Sequence, residues 1–96
     1  MDLELKGKTA IITGGSRGIG KAVGREFGLE GMKVALVARG PDALEECARE
    51  LAEETGEDFV TIVADTGNAE SVLSMVKEAA EKLGRIDILV NSAARV

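Results

Sequence analysis

The chain has 96 residues, of which 45% are hydrophobic and 30% charged, as in a globular protein rather than a disordered or fibrous one. This length allows one small domain with one hydrophobic core. The formal net charge of −5 argues against a nucleic-acid groove or a surface for anionic lipid, so neither nucleic acid nor membrane is an expected partner.

Cysteine and histidine usage narrows the chemistry further. The single cysteine, Cys47, cannot form a disulfide within the chain, and no apolar run is long enough to cross a bilayer. Residues 1–8 do not resemble a secretory leader, so we expect a cytoplasmic protein. The chain contains no histidine, which excludes a histidine base, metal ligand or pH switch, and no metal site is predicted.

The first half of the chain predicts two strands and two helices. Residues 9–13 and 34–38 are apolar runs, and the second is typical of a strand buried on both faces. The first helix is predicted from apolar residues at helical spacing, namely Ile19, Ala22, Val23 and Phe27. The second is predicted in the same way from Leu44, Cys47, Ala48, Leu51 and Ala52. Its entry, Gly40-Pro41-Asp42, places proline in the first turn.

The second half predicts a strand, a helix and a strand. The strands are expected at residues 59–64 and 86–90. Asn68 is the expected N-cap of the helix between them, and Gly84 its expected C-terminal stop. The apolar stripe of this helix consists of Val72, Met75, Val76, Ala79 and Leu83. Core packing is the expected role of Met75 and also of Cys47, ahead of a reactive thiol.

The resulting order is βαβαβαβ, with short connections and no linker or internal repeat. Such alternation is typical of parallel strands joined by right-handed crossovers. We therefore expect an α/β fold with one parallel sheet and helices on both of its faces.

A glycine-rich turn follows the first strand, with the sequence Gly14-Gly15-Ser16-Arg17-Gly18-Ile19-Gly20. Such turns hold phosphate groups because backbone N–H groups and the positive end of a helix dipole converge there. One interpretation is a mononucleotide loop, since residues 15–21 fit the pattern G-x-x-x-x-G-K. That loop needs a serine or threonine at the next position to ligate Mg²⁺, and this chain has Ala22. The mononucleotide interpretation fails at that residue.

The other interpretation is a dinucleotide loop built on Gly14, Gly18 and Gly20. Gly14 permits a sharp turn off the strand, and Gly18 lets the backbone approach a pyrophosphate. Gly20 allows close contact between helix and sheet. Glycines in such a turn also occur for steric reasons alone, but a place in the first βα unit favours the dinucleotide site.

Gly20, Gly24 and Gly28 share one face of the first predicted helix. Each glycine lowers intrinsic helix stability by about 1 kcal/mol relative to alanine. At the level of sequence, close packing on the sheet and a merely weak helix both account for this spacing.

The residues from Thr13 to Gly20 read T-G-G-S-R-G-I-G, which resembles the signature T-G-x-x-x-G-I-G of the short-chain dehydrogenases/reductases. The resemblance extends along the chain and includes Asp65 after the third strand and Asn91 at the end of the fourth. The family usually continues Asn-Asn-Ala-Gly there, whereas this chain reads Asn91-Ser92-Ala93-Ala94. The resemblance implies an incomplete Rossmann fold with strand order 3-2-1-4. Residues 1–96 would form the N-terminal, dinucleotide-binding half of the family's domain.

The resemblance also implies a set of cofactor-binding residues. In the family, the residue matching Asp65 contacts adenine, and those matching Asn91 and Ala93 line the ribose region. A helix-entry turn at Asp65 and a strand-end turn at Asn91 are the purely structural alternatives. The whole implied set is Gly14, Ser16, Arg17, Gly18, Ile19, Gly20, Arg39, Asp65, Asn91 and Ala93.

The expected cofactor is NADP rather than NAD. Folds that prefer NAD carry a carboxylate at the end of strand two, where it bonds the ribose 2′-hydroxyl. This chain has Ala38 there, followed by Arg39, and a guanidinium binds phosphate with a bidentate fork. Together with Arg17, Arg39 resembles the arrangement in NADP-preferring members of the family. Two solvated surface arginines are the alternative.

No catalytic residue is predicted. The family uses Ser, Tyr and Lys for acid/base chemistry, with Tyr-x-x-x-Lys well downstream of strand four, and this chain contains no tyrosine. We therefore expect the NADP-binding portion of an oxidoreductase that transfers hydride between NADP(H) and a carbonyl or alcohol, without activity of its own. A stand-alone nucleotide-binding or interaction module is the alternative.

The fourth strand is expected at one side of the sheet, where the family's fold adds further parallel strands. An apolar edge with unpaired backbone groups invites pairing with another chain. We expect self-association through this edge, or the continuation of a longer chain.

Overall fold

The computed structural model of the chain describes residues 5–14, 16 and 18–92. Its elements are β1 (Thr9–Thr13), α1 (Gly18–Leu29), β2 (Lys33–Ala38), α2 (Pro41–Thr55), β3 (Phe59–Val63), α3 (Ala69–Leu83) and β4 (Ile88–Asn91). The four strands are parallel and lie in the order β3-β2-β1-β4. The predicted fold class, element order and strand order are confirmed.

The sheet separates two hydrophobic layers, because alternate residues of a strand point to opposite faces. Ile12 and Leu36 pack with α1 and α2 on one face, whereas Ile11 and Val37 pack with α3 on the other. Cys47 and Met75 are buried in these layers, as the sequence predicted. Burial raises the pKa of the Cys47 thiol, which disfavours the reactive thiolate.

Helix α1 forms where predicted, and Val23 and Phe27 of the predicted stripe pack against the core as partly buried residues. Its buried residues are Gly20, Gly24 and Gly28, whereas Ile19 is 76% exposed. A Cβ added at Gly28 would lie 2.7 Å from Phe59 Cζ. One added at Gly24 would lie 3.3 Å from a methyl of Leu51 and 3.4 Å from one of Leu36. Close packing therefore explains this glycine spacing, and a merely weak helix does not.

The ends of α2 and α3 follow the predicted signals. Pro41 opens α2 after Gly40, and the Asn68 side chain caps α3 by accepting a hydrogen bond from the Ser71 N–H at 3.1 Å. Gly84 ends α3 with a φ of 88°, a conformation that glycine adopts without strain. Within the described ranges, no helix has both the length and the apolar character needed to cross a membrane.

Strand β4 begins two residues later than predicted and extends to Asn91. The residues just before it bond the start of β1 instead: the Asp87 N–H donates to the Thr9 carbonyl at 3.0 Å, and Asp87 Oδ2 accepts from the Thr9 N–H at 2.9 Å. Within the described part of the chain, β4 pairs with β1 alone, so its other edge is open.

Candidate functional site

A cleft of about 500 Å³ opens at the carboxyl ends of the strands. Open parallel α/β sheets bind ligands at this edge, at the point where the strand order reverses. Here the order reverses at β1, since β2 and β3 lie to one side of it and β4 to the other. The lining consists of Gly14, Ser16, Val37, Ala38, Arg39, Gly40, Ala43, Ala64, Thr66 and Ser92.

The glycine turn has the backbone geometry that requires glycine. Gly14 and Gly18 have φ angles of 72° and 60°, in the left-handed region that other L residues rarely adopt. The Gly14 N–H donates to the Val37 carbonyl at 2.8 Å, which fixes the start of the turn to β2. A Cβ at Gly20 would lie 2.5 Å from the Gly14 carbonyl oxygen. The backbone of the turn at Gly14 and the backbone of α1 at Gly20 are therefore in direct contact.

The charge around the cleft favours an anion. The first turn of α1 contains no acidic residue, whereas α2 and α3 carry Asp42 and Glu70 in theirs. Its unpaired N–H groups and the helix dipole therefore act without a competing carboxylate. Among the lining residues that the structure describes, Arg39 is the only ionisable one. The described lining thus contains one cationic side chain and no carboxylate, in a chain whose net charge is −5.

The end of β2 carries no carboxylate. Ala38 closes the strand, and its carbonyl accepts the Ala64 N–H at 3.1 Å, which joins the ends of β2 and β3. Arg39 follows as an exposed residue at the rim of the cleft. The position that would select the ribose 2′-hydroxyl is therefore apolar, with a guanidinium next to it.

The other predicted site residues do not all line the cleft. Asp65 does not line the cleft, although Ala64 and Thr66 do, and its Oδ1 accepts the Gly67 N–H at 2.9 Å in a helix-entry turn. Asn91 lines a neighbouring pocket of about 140 Å³, and its Oδ1 accepts from the Thr13 hydroxyl at 2.9 Å. Ile19 projects into solvent at the start of α1. Arg17 and Ala93 lie outside the described residues.

Several lining residues were not predicted from the sequence. Thr66 lines both the cleft and the smaller pocket, Ala43 reaches the cleft from the first turn of α2, and Ser92 reaches it from the end of β4. Only Ser92 left a signal in the sequence, as a departure from the family's motif. The others become neighbours only when the sheet forms.

Lys21 does not serve the cleft. Its Nζ lies 3.1 Å from Glu50 Oε2 on α2, and this hydrogen bond raises the pKa of Lys21. Arg25 pairs with Glu54 one turn further along both helices. These ion pairs join α1 to α2. The lysine that a mononucleotide loop would aim at phosphate is thus held against another helix.

Comparison with known proteins supplies relatives for the whole length of the chain. Residues 8–96 match the model of the short chain dehydrogenase family. Oxidoreductase UcpA of Escherichia coli strain K12 is 43% identical over 90 residues, which are 94% of this chain and 34% of that protein. An uncharacterized oxidoreductase of Thermotoga maritima is 39% identical over 90 residues, 94% of this chain and 35% of that protein.

Solved structures show the same fold. L-Sorbose reductase from Gluconobacter frateurii, complexed with NADPH and L-sorbose, matches with a TM-score of 0.92 and 41% identity over 99% of this chain and 36% of its own. NAD⁺-bound xylitol dehydrogenase matches with a TM-score of 0.84 and 29% identity over 91% of this chain and 33% of its own. The chain thus spans about a third of the length of the relatives it matches.

Proposed function

This chain belongs to the short-chain dehydrogenase family, and we propose that it binds NADP in the cleft at the carboxyl edge of its sheet. The family's fold binds a nicotinamide dinucleotide, and the two similar structures contain NADPH and NAD⁺ respectively. The proposal therefore concerns which dinucleotide this chain prefers and which of its residues hold it.

The residues present fit such a group. The turn formed by Gly14, Ser16 and Gly18 offers backbone to a pyrophosphate at the N-terminus of α1, with no acidic side chain in that first turn. Gly20 has no room for a side chain. We further propose that Arg17, Ile19, Asp65, Asn91 and Ala93 take the roles that the family gives the matching positions.

One observation carries the preference for NADP: Arg39 is the only ionisable residue in the described lining, and Ala38 replaces the carboxylate that NAD requires. A guanidinium binds a 2′-phosphate through charge-assisted hydrogen bonds. A carboxylate at this place would instead repel it. Since relatives with either cofactor share the fold, this local chemistry decides the preference.

The chemistry follows from the cofactor. NADP supplies or accepts hydride at its nicotinamide, while the protein supplies binding, orientation and proton transfer. We propose that the complete protein is an oxidoreductase acting on a carbonyl or alcohol. The 96 residues include no tyrosine, so this portion binds and orients the cofactor without catalysing the reaction. We also propose a cytoplasmic location, supported by the single, buried Cys47.

Substitution of Arg39 tests the preference. Hydrogen bonds to charged groups contribute about 1.5–3 kcal/mol, so Arg39→Asp should weaken NADPH binding roughly tenfold or more. It should leave NADH binding nearly unchanged or improved. Calorimetric titration of both nucleotides measures this. Arg49→Asp is the matched control, because it makes the same charge change on the exposed surface of α2.

Three results would contradict the proposal. The first is tighter binding of NADH than of NADPH by the unmodified chain. The second is an equal loss of affinity for both nucleotides in Arg39→Asp. The third is a change of preference in Arg49→Asp as large as that in Arg39→Asp, since this would reflect net charge and not a 2′-phosphate contact.

A further inference from the structure

Ser92 lies where the end of β4, the glycine turn and the start of α1 meet. Its Oγ donates to the Thr13 carbonyl at 2.5 Å, and its N–H donates to the same carbonyl at 3.1 Å. A Cβ at Gly20 would lie 2.5 Å from Ser92 Oγ, so the hydroxyl also packs directly against α1. Ser92 lines the cleft as well.

The Thr13 carbonyl and the Gly14 N–H belong to one peptide unit, from which the glycine turn departs. From the end of β4, the Ser92 hydroxyl donates to the carbonyl of this peptide. From β2, the Val37 carbonyl accepts the N–H of the same peptide at 2.8 Å. Hydrogen bonds from two neighbouring strands thus fix the plane of this peptide. That plane sets the direction in which the turn leaves β1.

We propose that Ser92 is a positioning residue for the dinucleotide site, because its hydroxyl orients the Thr13–Gly14 peptide and so the turn that contacts phosphate. The inference rests on the proposed function of the cleft. The family's motif usually has asparagine at this position, so the hydroxyl contact is a property of this chain and not of the motif. Removal of the hydroxyl leaves the Thr13 carbonyl with the Ser92 N–H as a donor. The effect should therefore be local, without an unpaired buried group.

The test compares Ser92→Ala with Ser74→Ala, a control that removes a hydroxyl from the exposed side of α3. Amide hydrogen exchange, followed by NMR, reports the turn directly. In Ser92→Ala the amides of Gly14 and of position 92 should exchange about fivefold faster, as expected for the loss of one hydrogen bond. The core amides of Leu36 and Leu51 should be unchanged. NADPH should bind about fivefold more weakly, and Ser74→Ala should match the unmodified chain in both measurements.

Other results overturn the inference. Unchanged exchange at Gly14 and at position 92 would show that the hydroxyl does not hold the turn. An equal increase in exchange rate at the core amides of Leu36 and Leu51 would show that the substitution destabilises the whole fold. Faster amide exchange limited to the turn, with unchanged NADPH affinity, would show that the hydrogen bond does not affect cofactor binding. If the unmodified chain binds neither NADPH nor NADH, the proposed function fails, whereas the exchange data still decide whether Ser92 holds the turn.

Discussion

Two threonines of β1 hold the edge strand β4 to the sheet, one at each end. Thr9 and Thr13 are the buried polar residues of the described core. Thr9 bonds Asp87 through its N–H and donates its hydroxyl to the Arg85 carbonyl. Thr13 donates its hydroxyl to Asn91 Oδ1. Because β4 pairs with one strand among the described residues, these side-chain bonds supplement a single backbone ladder.

The Asp87 carboxylate should make part of the stability depend on pH. The hydrogen bond from the Thr9 N–H, with a further contribution from the Arg85 side chain, lowers the pKa of Asp87 below its ordinary value of 3.8. A lowered pKa means that the ionised carboxylate stabilises the folded state above that ordinary value. The contribution is lost as the pH falls through the folded-state pKa.

Asp87→Asn should therefore be less stable than the unmodified chain near neutral pH, and the difference should shrink in acid. Thermal unfolding across the acidic range measures it. Asp58→Asn, at an exposed position before β3, is the control. A difference between Asp87→Asn and the unmodified chain that stays constant with pH would show that the Asp87 charge does not matter.

At the scale of residues, the sequence predicted those parts of the site that depend on backbone chemistry. The positive φ angles at Gly14 and Gly18 and the absence of a carboxylate at Ala38 follow from residue type and spacing. The positions of Thr66 and Ser92 depend on how the ends of β1, β3 and β4 meet. The spacing of residues along the chain does not indicate which strand ends lie next to each other.

Among the helices and strands, α1 shows that apolar spacing alone does not identify every residue that packs against the sheet. The pattern of Ile19, Ala22, Val23 and Phe27 predicted the helix, and Val23 and Phe27 pack against the core, but the most deeply buried residues of α1 are its glycines. The helix turns its glycines inward because they let it approach β1, β2 and α2 closely, and Ile19 is left in solvent. The start of β4 was predicted two residues too early, because Asp87 bonds Thr9 before the regular ladder begins.

Alanine substitutions should separate the packed glycines. At Gly28 the new Cβ would press on Phe59 and Thr55 at 2.7 and 3.0 Å, and overpacking costs about 1–3 kcal/mol. That cost should exceed the gain of about 1 kcal/mol in helix propensity, so Gly28→Ala should be destabilised. At Gly24 the nearest atoms are leucine methyls at 3.3 and 3.4 Å, which can shift slightly. Gly24→Ala should then stay within about 1 kcal/mol of the unmodified chain.

Chemical denaturation of the two variants measures the contrast. The Gly24→Ala protein is itself the control for helix propensity, because both substitutions replace a buried glycine of α1 by alanine. Equal stability of the two variants would mean that the glycine face is not closely packed. The expected order of stability has Gly24→Ala above Gly28→Ala.

For the whole molecule, the outer edge of β4 has no partner strand within the described ranges, and an exposed leucine lies beside it. The Ser92 N–H donates to the Thr13 carbonyl of β1, so by the alternation of a parallel ladder the backbone N–H and carbonyl of Leu89 point outward. Leu89 is 60% exposed on the face that carries α3. We propose that a second copy of the chain pairs with this edge, because two identical strands offer each other complementary donors and acceptors.

Sedimentation velocity over a wide range of concentration tests this association. The unmodified chain should form larger species as its concentration rises, and Leu89→Lys should reduce them by placing charge beside the edge. Leu29→Lys is the control, since Leu29 is similarly exposed at 57% but lies at the end of α1. A monomer at every concentration, or equal effects of the two substitutions, would contradict pairing through β4.

Binding of NADP in the cleft at the carboxyl edge of the sheet can be tested with amide NMR spectra recorded during NADPH titration. We expect saturable shifts for the amides that surround the cleft, including Gly14, Arg39 and Thr66, with smaller shifts for NADH at Arg39. The resonances of amides on the outer side of α3, such as Leu73 and Lys77, should not shift. The absence of saturable shifts, or shifts centred on α3 rather than on the cleft, would show that the cleft does not bind the dinucleotide.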